Sequence, residues 1–158
     1  MPEVHRKQLD KSTEIEIAYI SAMPQWYKFV IDYTDVQTAA TTITITLATL
    51  PIKTWIHAIH WKGSGWNGFG SEGPTLLLDI GDEDDADRWL SALAIHTGGG
   101  GAGGAFEDGI GFIVWEPDFS NTHDLEAYFS ISKPGAFDLD DLTAGTLTIW
   151  FLLSSMNL

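Results

Sequence analysis

Cysteine is absent from this chain, which removes disulfides, thiolate metal ligands and cysteine nucleophiles together, so rigidity must come from packing or from neighbouring subunits. Basic residues are scarce: 8 Lys and Arg stand against 22 Asp and Glu, a formal charge of −14. Nucleic-acid binding draws on clustered Lys and Arg and on counterion release, so DNA or RNA is not the expected partner and a basic protein surface is the better complement. No apolar run is long enough to span a bilayer. The charged stretch Met1 to Lys11 is not followed by the apolar core and cleavage site of a secretory leader, so the expectation is a soluble product made in the cytosol. Convincing amphipathic helices are lacking as well.

What is present is apolar area. Hydrophobic residues make up 44% of the 158, with seven Trp, enough for one domain with its own core. Residues 1–24 mix charges with a short Ile15-Glu16-Ile17 alternation and end at Met23-Pro24; this stretch reads as an N-terminal arm, and 25–158 as the folded domain. From Trp26 to Tyr33, Tyr27, Phe29, Ile31 and Tyr33 alternate with Lys28, Val30 and Asp32, a strand pattern. Thr41 to Leu50 repeats it, with Ile43, Ile45 and Leu47 opposing Thr44, Thr46 and Ala48. Further strands are expected at Thr54 to Trp61, Thr75 to Ile80, Gly111 to Trp115, Leu125 to Ser132 and Gly145 to Leu153. Arg88 to His96 fits either a strand or one to two helical turns, with the strand favoured. Gly63 to Gly73 and Gly98 to Gly104 read as loops. About eight short strands with turn residues between them predict an all-β fold, an antiparallel, jelly-roll-like β-sandwich.

The run Ile149 to Leu153 is apolar without interruption, so neither side of that strand reads as solvent-facing. The opposite sheet covers one side. A neighbouring subunit is the favoured cover for the other, with a loop of the same chain as the alternative, and this marks Trp150, Phe151, Leu152 and Leu153 as interface candidates.

Catalytic signals are weak throughout. His57 and His60 have a metal-like H-x-x-H spacing, but an odd separation on a regular strand places two side chains on opposite faces. The acidic run from Asp79 to Asp87 offers oxygens for Ca²⁺ without the EF-hand spacing, and Asp82, Asp84 and Asp85 are expected at an exposed tip. The glycine-rich segments lack the Lys-Ser/Thr of a phosphate loop, and no serine sits in a G-x-S-x-G elbow. No enzyme activity, catalytic residue, cofactor or metal is expected. A carbohydrate-binding module is the rival reading, with Trp66 as the Trp most available for stacking on a sugar.

The segment from Phe29 to His60, F-V-I-D-Y-T-D-V-Q followed by T-I-T-I-T-L-A-T-L-P-I-K-T-W-I-H, resembles a recurrent tailed-bacteriophage virion protein. The likeness continues at Thr75 to Leu93 with T-L-L-L-D-I-G-D-E-D-D-A-D-R-W-L-S-A-L and covers about the middle half of the chain. The charged arm before Trp26 and the glycine run after Thr97 depart from it. The resemblance implies a capsid decoration (cement) or head-fibre subunit: a β-sandwich, usually a homotrimer, that binds the major capsid protein lattice or other virion proteins on the capsid surface of the virion. It carries no catalytic residues.

Overall fold

A computed structural model describes residues 7–10, 23–69, 73–96, 109–115, 121–132 and 135–155, the side chains of 7–10 and 109–115 excepted. Among the described residues the chain runs β1 (Lys7–Asp10), β2 (Gln25–Asp32), α1 (Tyr33–Val36), β3 (Thr42–Leu50), β4 (Thr54–Asn67), β5 (Leu76–Asp82), β6 (Asp85–His96), β7 (Gly109–Trp115), β8 (His123–Ile131) and β9 (Ala144–Ser155). One sheet has the order β1-β2-β9-β4-β7 and the other β3-β8-β5-β6. All pairings are antiparallel except β1 with β2. Without β1, β2-β9-β4-β7 facing β3-β8-β5-β6 is the order of a jelly roll, in which the chain passes repeatedly between sheets. The expected all-β sandwich is therefore what forms, and 88–96 is strand. No helix among the described residues is long and apolar enough to cross a membrane.

The inward residues follow the alternation of the sequence wherever the ladder is regular. Tyr27, Phe29 and Ile31 of β2, Leu76, Leu78 and Ile80 of β5, Leu125, Ala127, Phe129 and Ile131 of β8, and Leu147, Ile149, Phe151 and Leu153 of β9 are all buried. Aromatic pairs join strands and sheets through this core. Phe151 meets Phe29 edge-on at 5.8 Å and, across the sandwich, Trp89 at 6.1 Å.

The β5–β6 ladder is irregular along its length, and on β3 and β4 three further β-bulges break the alternation. The register slips between Thr46 and Ala48 on β3, and between Ile56 and Ala58 and between Ser64 and Asn67 on β4. Each extra residue reverses which face the following side chains take. Ala48, expected opposite Leu47, is buried as deeply as Leu47 for this reason. The third bulge contains Gly65 at φ 69°, a left-handed conformation that glycine adopts without steric cost. β4 accordingly continues to Asn67, through residues whose glycines suggested a loop.

His96, at the end of β6, is 9% exposed and packs against Phe69 with ring centroids 5.8 Å apart. Burial lowers its pKa below the ordinary 6.5, so the folded state favours the neutral ring. The unfolded chain then takes up a proton first as pH falls, and the contribution is present above the unfolded value and lost below it. Urea midpoints measured at pH 7.5 and 5.5 should fall more for the native chain than for His96→Phe; equal falls would show that this imidazole does not couple to folding.

Candidate functional site

Two regions hold the residues that the sequence singles out. The first is the outer face of the five-stranded sheet. Pairing places Trp26 of β2, Leu152 of β9 and Ala58 of β4 side by side in one row, and Lys28, Trp150 and His60 in the next. In a third position Trp55 lies opposite Ser154. Trp26, Trp55, His57, His60, Trp150 and Leu152 are all partly buried rather than fully exposed.

The second bulge shapes this face. Ile56 pairs with Leu153 and Ala58 with Leu152, so His57 is the inserted residue. His57 stacks on Trp55 at 6.4 Å and shares a 2.7 Å hydrogen bond between its Nε2 and Ser154 Oγ. His60 stacks on Trp150 at 4.7 Å with the rings 18° from parallel. Both imidazoles therefore lie on the outer face, which corrects the expectation of opposite faces; the parity rule assumes an unbroken ladder. Each ring is engaged with its own tryptophan.

The four interface candidates of β9 divide by parity. Phe151 and Leu153 are 0% exposed in the core, which corrects their reading as interface residues, because the facing sheet already covers them. Trp150 and Leu152 are the two that point outward. The Trp150 indole nitrogen is buried and finds no hydrogen-bond acceptor among the described residues.

Trp66 is likewise corrected. Its side chain is 0% exposed, turned inward by the bulge at Gly65, and its ring lies 5.8 Å from Phe129 of the facing sheet. A fully enclosed indole offers no stacking surface to a sugar, and the rival carbohydrate reading loses its platform.

The second region is the β5–β6 hairpin. Asp82 pairs with Asp85 across a turn formed by Glu83 and Asp84. Asp82 is 1% exposed, not displayed at a tip as expected. Its Oδ1 accepts the backbone N–H groups of Asp84 and Asp85 at 3.1 and 2.9 Å, and its Oδ2 lies 2.6 Å from Arg88 Nε. The carboxylate satisfies the turn and is itself neutralised, the condition under which a buried charge is tolerated. Asp84 is exposed and Asp85 half-buried. The arm before Met23 and the glycine run 98–104 lie outside the described residues, apart from the backbone of β1.

No protein-family model and no curated protein sequence matches the chain. Solved structures do. A chain of the cyanophage Pam1 capsid asymmetric unit is similar with a TM-score of 0.56 and 15% identity, covering 97% of this chain and 98% of that one. The capsid of Ralstonia phage GP4 contains a chain similar at a TM-score of 0.54 and 13% identity, covering 87% and 88%. The fold is shared with phage capsid chains. At these identities the likeness concerns the path of the backbone from one end of the chain to the other, not the conservation of any side chain.

Proposed function

We propose that this chain is a structural protein of a tailed-phage virion, a capsid decoration (cement) or head-fibre subunit that forms a homotrimer and binds the outside of the capsid lattice. It acts by binding and stabilising, not by catalysis. The observation that carries the reading is the end-to-end correspondence of its jelly roll with a chain of the Pam1 capsid asymmetric unit. The sequence likeness at Phe29 to His60 and Thr75 to Leu93 supports it independently.

The molecule has a surface suited to the role. Trp26, Trp55, Trp150 and Leu152 form an apolar outer sheet face, of the aromatic composition favoured in interface cores. The excess of 22 acidic over 8 basic side chains suits a basic lattice surface and keeps unassembled subunits apart from one another in the host cytoplasm. Lys7–Asp10 of the N-terminal arm pair with β2 of the same chain, and the rest of the arm extends the contact to the lattice or to an adjacent subunit.

Deleting residues 1–22 tests this. The truncated protein should remain a trimer by size-exclusion chromatography with light scattering, yet fail to co-sediment with particles prepared without the native subunit. Normal decoration by the truncated chain removes the arm from the proposal, and a full chain that is monomeric and has no affinity for such particles overturns the whole reading.

A further inference from the structure

We propose that Glu83, Asp84 and His123 form a binding site for a divalent transition cation of the Zn²⁺ type at the end of the sandwich where the β5–β6 turn meets the start of β8. One ligand atom from each residue can be chosen so that all three lie within 4.8 Å of one another. Metal–ligand bonds of about 2.0–2.2 Å hold donors about 3–4 Å apart, so small side-chain rotations close the group around an ion.

The three donors come from two places in the fold, the β5–β6 turn and the start of β8, each held in place. The two carboxylates sit on a turn whose backbone is fixed by buried Asp82. His123 is the first residue of β8, paired opposite Leu50, and its ring is 12% exposed. Its Nδ1 lies 3.3 Å from Glu83 Oε1. The other oxygen of Glu83 accepts the Asp124 backbone N–H at 2.7 Å, which turns Oε1 toward the imidazole as second-shell contacts orient metal ligands.

The surroundings carry excess negative charge. Arg88 is committed to Asp82. Burial, with repulsion from Asp124, Glu83 and Asp82, holds the Glu126 carboxyl above the ordinary carboxylate range. A dication between Glu83 and Asp84 relieves that repulsion.

The donor set selects the ion. Ca²⁺ takes six to eight oxygens, and Asp82, the last residue of β5, is consumed inside the hairpin. One imidazole nitrogen with two carboxylate oxygens suits Zn²⁺, Mn²⁺, Co²⁺ or Ni²⁺, with water completing the shell on the side of exposed Asp84. A bound ion ties the hairpin tip to β8 and stabilises the folded chain by mass action.

Calorimetry and thermal unfolding of the untagged, chelator-stripped full chain with ZnCl₂ test the site, with CaCl₂ as competitor. One Zn²⁺ should bind per chain, raise the melting temperature and resist excess Ca²⁺. Asp84→Asn, an exposed change that leaves the turn backbone intact, and His123→Ala should each weaken binding at least about tenfold, while Asp87→Asn on the neighbouring exposed surface should not. The visible absorption of bound Co²⁺ should be lost in His123→Ala. Absence of both heat and a melting shift with Zn²⁺, or unchanged affinity in Asp84→Asn, overturns the proposal.

Discussion

Replacing Trp66 by Ala is expected to lower the unfolding free energy by about 3–5 kcal/mol, the range for removing a buried large aromatic and leaving a cavity. The indole is 0% exposed and joins the two sheets through Phe129 at 5.8 Å. It also closes against Gly145: a Cβ added there would come within 2.3 Å of the indole Cδ2, on a backbone with φ 144°. Gly145→Ala should therefore destabilise as well, by about 1–3 kcal/mol or more, since neither the enclosed ring nor the adjacent strand can give way. Trp66→Phe separates packing from polarity. It keeps an aromatic ring and removes an indole nitrogen that has no acceptor among the described residues, so its loss should be well below that of Ala. Urea unfolding of the three variants provides the check. A Trp66→Ala protein as stable as the native chain would mean that the ring is not enclosed and would restore the sugar-platform reading.

Phe151→Ala and Trp150→Ala should give opposite phenotypes although the residues are adjacent. Phe151 contacts Phe29 in its own sheet and Trp89 in the other, so its loss should cost about 3–5 kcal/mol of fold stability. Trp150 lies outside the core, stacked on His60 at 4.7 Å. An aromatic pair of this kind contributes about 0.5–1.5 kcal/mol beyond its burial, so Trp150→Ala should leave the chain folded. Under the proposed function it should instead weaken the oligomer, which light scattering across a dilution series would register. If both variants lost stability equally with the oligomer intact, the outer face of this sheet would have no part in assembly.

The contrast between these neighbours shows what was legible in the primary structure. In β2 and β8 the inward apolar residues recur every second position, and the same residues are buried. Strand identity and fold class followed from that period. The four interface candidates were not separable by sequence because an unbroken apolar run gives no phase: β9 needed its partners β2 and β4 to show that Phe151 and Leu153 face inward and Trp150 and Leu152 outward. The acidic hairpin was found in its place. The inward turn of Asp82 toward Arg88 was not, since one carboxylate among several in a run carries no mark of burial. His123 escaped notice altogether, because its neighbours Glu83 and Asp84 are remote in sequence and adjacent only across the β5–β8 ladder.

By itself the sequence determined that this chain forms strands, that it has no thiol chemistry, and that its charge disfavours nucleic acid. Only the tertiary structure decided which face each side chain takes after the bulges at Leu47, His57 and Gly65, and with it the burial of Trp66 and the shared face of His57 and His60. The physical reason is that alternation is a local property of an extended backbone, whereas a bulge is a property of a pair of strands: the residue that drops out of register is chosen by the hydrogen-bond ladder to a partner distant in sequence.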